Sequence, residues 1–224
     1  MERVLVVRWP GRLFRAEIVS PVTDEERAAV ARAAENLRSD AGYTRAISVD
    51  LLEELSPSVL FGPHGAAVCR VLEVGYGLDE EGARRLASAR HPAADRAYGT
   101  AWDRWLAEQP KDAPCQGEGH ARLMAVPGAG PSQSPIGHGF SVLVDAVRGS
   151  ARLRGGPDAD ATDEHGDEVL MDPWRTALGA LLDAAMALGA PHLVDGQVGT
   201  VLTSAWNAVL GSVPDPDDDA AALG

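Results

Sequence analysis

Residues 115–147 decide how this sequence is interpreted, and they read CQGEGHARLMAVPGAGPSQSPIGHGFSVLVDAV. Two apolar runs, 120–126 and 138–147, flank a loop of glycine, proline and serine. Short apolar runs bounded by turn residues are typical of β-strands. We therefore predict two neighbouring central strands, with a connecting loop that brings His120 and His138 together at one edge of a sheet.

This stretch contains candidate metal ligands, which are Cys115, Glu118, His120 and His138. Thiolate and imidazole groups are typical ligands of zinc, and a carboxylate or water completes the tetrahedron. The spacing matches no established zinc pattern, and a second Cys-x-x-Cys arm is absent. The alternative is a glycine-rich loop with two exposed or hydrogen-bonded histidines, so the sequence identifies no cofactor.

A nucleophilic site is a second hypothesis for the same stretch. Here His120 or His138 would activate Cys115 or a nearby serine, and Asp145 would orient the imidazole. A regular strand places His138 and Asp145 on opposite faces, which counts against this triad. The chain also lacks the phosphate-binding loop, the H-E-x-x-H zinc motif and the G-x-S-x-G nucleophile elbow.

The residues before this stretch predict a β-hairpin followed by helices. Residues 3–8 and 13–19 are rich in apolar and β-branched residues, and turn residues join them. Thr23 and Glu26 form a capping box that indicates the start of a helix. Periodicity and caps predict further helices at 49–55, 66–74, 79–89 and 94–106, with a strand at 68–74 as the alternative to the second of these.

After this stretch we predict a strand at 151–154 that pairs back, a flexible acidic loop at 155–167 and a helical hairpin. The first helix opens at Asp172-Pro173, and the second spans about 197–210. Residues 1–213 are expected to form a single domain, followed by a disordered acidic tail at 214–224. The predicted fold class is α+β: a mostly antiparallel sheet, made of the N-terminal hairpin and the central strands, covered by helices.

Composition narrows the classes of function. The 224 residues carry 33 acidic and 20 basic side chains, a formal net charge of −13, which argues against nucleic-acid binding. Two cysteines and the lack of a long apolar run favour a cytoplasmic protein outside the membrane. Lys111 is the sole lysine, which indicates a high-GC coding sequence such as that of an actinobacterium.

Two functions remain open from the sequence. The favoured one is a non-catalytic acidic binding protein, an accessory, inhibitor or immunity-type partner of a basic protein. For binding we single out His64, which lies in a Gly-Pro-His-Gly turn, and Asp163 and Glu164 in the acidic loop. The alternative is a small metal-assisted or hydrolytic enzyme with its site along residues 115–145.

Overall fold

The computed structural model describes residues 9–35, 49–108, 135–156, 159–162 and 168–211. Strand β1 (Leu13–Ile18) pairs antiparallel with β2 (Val49–Leu55), and β3 (Asp160–Thr162) pairs antiparallel with β4 (Glu168–Leu170). The helices are α1 (Asp24–Glu35), α2 (Gly65–Gly77), α3 (Glu80–Ala89), α4 (Ala94–Glu108), α5 (Pro135–Arg154), α6 (Trp174–Gly189), α7 (Gly196–Leu202) and α8 (Ser204–Leu210). The α+β class with antiparallel strands is confirmed, although helices make up most of the fold.

The predicted central strand at 138–147 is wrong, because these residues lie inside α5. The predicted strand at 151–154 is wrong for the same reason, since it forms the last turn of α5. The buried positions recur at helical spacing and are Val142, Leu143, Ala146, Val147, Ser150 and Ala151. Four of these positions, Val142, Leu143, Ala146 and Val147, already lie at helical spacing within 138–147, and Ser150 and Ala151 continue the period. The other predicted central strand, 120–126, lies outside the described residues.

The predicted helix at residues 49–55 is also wrong, because this segment forms β2. Leucine and glutamate are good helix formers, so the local composition favours the wrong structure. Pairing with β1 decides the outcome, since β-structure depends on a cross-strand neighbour more than on intrinsic preference. The strand at residues 13–19 is confirmed as β1, whereas its predicted partner, residues 3–8, lies outside the described residues.

Several helix boundaries are confirmed together with their caps. The Thr23 hydroxyl accepts a hydrogen bond from the backbone N–H of Glu26 at 3.1 Å, and the Glu26 carboxylate accepts one from the N–H of Thr23 at 3.0 Å. Asp79 caps α3 by accepting from the N–H of Gly82 at 2.7 Å. The C-terminal helical hairpin is confirmed, with a break at Thr203 between α7 and α8. The predicted tail lies outside the described residues.

The core is built between helices rather than on a broad sheet. One apolar cluster joins the turn at Pro57–Phe61 with α2, α3, α5 and α6, and its fully buried members include Phe61, Leu72 and Trp174. A second cluster packs α4 against α6 and α7. Leu182 contacts both clusters, so α6 is the helix around which the described fold is organised.

The N-terminal sheet, which we define as β1 and β2, is attached to this core at one end. Trp9 and Leu13 pack partly against the first cluster, and Leu55 at the end of β2 is half-buried. The remaining residues of β2 are exposed. The helices therefore form the core, and the N-terminal sheet extends from its margin.

Candidate functional site

The predicted sheet edge does not form at His138, which is the predicted ligand that the structure describes. His138 lies in the first turns of α5, and Asp145 is exposed on the same helix. They are seven positions apart along the helix, which is an axial rise of about 10 Å. Cys115, Glu118 and His120 lie outside the described residues. Within the ranges that the structure describes, there is no group of three His, Cys, Asp or Glu side chains arranged to hold a metal ion.

The predicted binding residues are dispersed along the chain. His64 precedes α2 at its N-cap, is half-buried and makes no capping hydrogen bond through its side chain. Asp163 and Glu164 lie outside the described residues. Cys69 on α2 has a thiol whose pKa burial raises to about 12, with a further increase from the charge of Glu73, so it is a poor nucleophile at neutral pH.

A buried charge cluster, which sequence reasoning missed, joins three helices. Asp183 on α6 is 2% exposed and accepts a hydrogen bond at 2.7 Å from Nε of Arg90, which follows α3. Nη2 of Arg90 also donates to exposed Asp95 on α4 at 2.6 Å. Burial raises the pKa of Asp183 to about 6, although Arg90 acts in the opposite direction. The sequence signal that could have revealed this cluster is a single aspartate, Asp183, within the apolar stripe of α6.

We interpret this cluster as a structural ion-pair network rather than a reaction centre. The guanidinium of Arg90 lies directly over Gly179, where an added Cβ would be 2.8 Å from Cζ of the arginine. One face of the guanidinium is thus covered by α6, while its N–H groups donate to the carboxylates of Asp183 and Asp95. We assign it the role of holding the end of α3 against α4 and α6.

A surface groove of about 600 Å³ runs between α6 and the α7–α8 segment. Its polar side chains already have hydrogen-bond partners, and Asp195 accepts from Arg104 of α4 and from the backbone N–H of Val198. Thr200 donates to the carbonyl of Gly196, Thr203 to that of Gly199, and Asn207 donates to the hydroxyl of Thr203. These groups do not converge on a common point in the groove, and we assign no ligand to it.

The N-terminal sheet has one charged face and one apolar face. Pairing places Leu13 opposite Leu55, Arg15 opposite Glu53 and Glu17 opposite Asp50 on the charged face. The other face, which we call the apolar face, carries Phe14, Ala16, Val49 and Leu51, with Glu54 paired opposite Phe14 and bound to Arg12. An extra residue on β2, Leu52, shifts the register between these pairs as a β-bulge.

The apolar face is accessible to solvent. Leu51 is 60% exposed and Val49 is 47% exposed, and Ala16 is exposed as well. Only Phe14 is half-covered, and the guanidinium of Arg12 lies 4.8 Å from its ring centroid. No other element of the described chain packs extensively on β1 or β2. The sheet therefore presents adjoining exposed apolar side chains beside a well-packed helical core.

Comparison of the chain with protein families, curated proteins and solved structures gave no match. In the parts of the chain that the structure describes, no helix combines the length and the apolar character needed to cross a bilayer.

Proposed function

We propose that this protein is a non-catalytic binding protein of the cytoplasm, and that the apolar face of the N-terminal sheet is its contact surface for another protein. The observation that carries the proposal is the exposure of Val49 and Leu51 on paired strands. Adjoining exposed apolar side chains rimmed by polar residues are characteristic of protein–protein contact sites.

Energetic considerations favour a state in which another protein covers this face. A two-stranded antiparallel pair is marginally stable in water unless it gains strands or packs against another element. Burying a leucine or valine side chain fully contributes about 1.5–3 kcal/mol. A partner that covers Leu51 and Val49 thus stabilises both the complex and the strand pair.

Net charge and cysteine content support a basic partner and a location in the cytoplasm. The net charge of −13 favours a basic partner through long-range attraction, which mainly increases the association rate. The free thiol of Cys69 and the total of two cysteines fit a reducing compartment. An accessory, inhibitor or immunity-type protein would have these properties.

Leu51→Glu is expected to abolish partner binding while leaving the fold intact, because it puts a charge on the apolar face but not into the core. The matched control is Leu153→Glu on α5, where the wild-type leucine is 77% exposed and far along the chain from the sheet. We would immobilise the wild type and both variants, and compare the proteins that each captures from an extract of the native host. A partner retained by the control and lost by Leu51→Glu supports the proposal; identical captures by all three would contradict it.

A further inference from the structure

We infer that the turn between α3 and α4, residues 90–93, is an acid-sensitive hinge whose contact with α6 loosens as the pH falls. Arg90 ends α3, where its N–H donates to the carbonyl of Ala87, and α4 begins at Ala94. Because α3 belongs to the first apolar cluster and α4 to the second, this turn joins a helix of each. Two side-chain hydrogen bonds of the turn have an acceptor that can bind a proton. The inference goes beyond the proposed function and does not depend on it.

The first of these bonds is made by the imidazole of His91. Its Nδ1 accepts a hydrogen bond at 3.0 Å from the backbone N–H of Ala93, just ahead of α4. A backbone N–H can only donate, so Nδ1 carries a lone pair and the imidazole is neutral. Protonation of Nδ1 breaks this bond and places a positive charge at the N-terminal end of α4, where the helix dipole disfavours it. Histidine side chains commonly change charge between about pH 5 and 8.

The second bond holds the turn against α6. Nε of Arg90 donates to the buried carboxylate of Asp183 at 2.7 Å. While Asp183 is ionised, withdrawal of Arg90 leaves a buried charge without a partner, which is strongly unfavourable. Once Asp183 is protonated this penalty disappears, and Arg90 still has exposed Asp95 on α4 as an ionic partner. Proton uptake by Asp183 therefore favours the release of Arg90 from α6.

The groups that surround Asp183 place its protonation in the mildly acidic range. Burial raises the pKa of Asp183 to about 6, while Arg90 lowers it and Asp95 raises it. No other charge among the described residues of the helices packed against α6 shifts this pKa. Tyr98 on α4 also faces the carboxylate, but burial raises the pKa of Tyr98 above its ordinary value of 10, so it stays neutral. Because withdrawal of Arg90 raises the pKa of Asp183 further, the released state binds the proton more tightly, and acid shifts the equilibrium towards it.

The test follows both bonds by NMR in the full chain at pH 7 and pH 5. The probes are the hydrogen-exchange protection factors of the Ala93 amide and of the Nε–H of Arg90, each corrected for the intrinsic exchange rate at that pH. We expect both to fall about fivefold or more at the lower pH, as for the loss of one helix cap. The amide of Val198 is the internal control, since its acceptor, Asp195, has a lowered pKa and stays ionised over this range.

Two variants assign the effect to its two acceptors. In His91→Asn, the new side chain still accepts a backbone hydrogen bond but does not bind a proton, so the Ala93 amide should keep its protection at pH 5. In Asp183→Asn, the protection of the Arg90 Nε–H should no longer depend on pH. Unchanged protection at either probe in the wild type, or an equal loss at Val198, would overturn the inference. A loss at Ala93 that persists in His91→Asn would also contradict it, because the imidazole would not be the cause.

Discussion

Gly65→Ala is expected to lower the free energy of unfolding by about 3 kcal/mol or more, and the Tm by roughly 6–12 °C. Gly65 is buried at the start of α2, where a Cβ would lie 1.8 Å from the carbonyl oxygen of Ser58. No side-chain rotation relieves a contact with backbone. The turn that contains Ser58 would have to move, and this turn also holds Phe61, which is fully buried in the core.

Gly99→Ala is the matched control for this substitution. Gly99 lies within α4, and an added Cβ would meet no atom within 4 Å. Alanine at such a site should stabilise the protein by up to about 1 kcal/mol, because glycine is the poorer helix former. Thermal and urea unfolding of both variants measure the contrast. Free energies of unfolding within about half a kcal/mol of each other would contradict the close approach of α2 to the turn.

Arg90→Ala is expected to destabilise the protein by about 3–5 kcal/mol at neutral pH, because it leaves the charge of Asp183 buried without a partner. The loss should be smaller under mildly acidic conditions. The folded pKa of Asp183, about 6, lies above its ordinary value of 3.8, so protonation stabilises the folded state. This contribution is complete below the ordinary pKa and is lost as the pH rises through the folded pKa.

Removal of Arg90 raises the pKa of Asp183 further, because the arginine is what opposes the effect of burial. The stability gap between wild type and Arg90→Ala should therefore widen as the pH increases from 5 to above 7. Urea unfolding at several pH values measures this gap.

Two further variants distinguish the destabilisation caused by the buried charge of Asp183 from that caused by lost packing around Arg90. Adding Asp183→Asn to Arg90→Ala should restore part of the stability at neutral pH, because it removes the unpaired charge. Asp95→Asn should cost less than about 1 kcal/mol, because that side chain is 85% exposed. A cost of Arg90→Ala that is the same at every pH, with no recovery in the double variant, would show that Asp183 is not the cause.

The parts of the fold that follow from local chemistry were predictable from the sequence. The capping box at Thr23 and Glu26 and the cap at Asp79 each need only residues three positions apart, and both form as expected. The apolar and β-branched composition of residues 13–19 likewise identified β1. Local hydrogen bonds and periodicity are properties that the sequence displays directly.

The errors arose where composition was given more weight than spacing or strand pairing. The apolar run at 138–147 has the composition of a buried strand, although Val142, Leu143, Ala146 and Val147 already lie at the helical spacing of α5. The segment at Val49–Leu55 has the composition of a helix and forms a strand through pairing with β1. The outcome at Val49–Leu55 depends on a distant partner, which no window of a few residues contains.

The candidate site was not predictable from the sequence, because what defines it is that no other element of the described chain covers its apolar side chains. The sequence shows that Phe14 and Ala16 can share a face, but it does not show that Leu51 joins them or that these side chains remain exposed. The Arg90–Asp183 contact likewise joins residues 93 positions apart. Side-chain exposure and long-range ion pairs are results of packing.

Side-chain labelling by a photoactivated carbene tests the central claim most directly, since it measures the exposure of each apolar residue in solution. In the purified protein, Leu51 should react like exposed Leu153 and half-covered Phe14 to a smaller extent, while buried Phe61 stays unreactive. In an extract of the native host, Phe14 and Leu51 should become protected and Leu153 should not. Phe14 and Leu51 as unreactive as Phe61 in the purified protein, or equally reactive in both conditions, would contradict a partner-binding face on the N-terminal sheet.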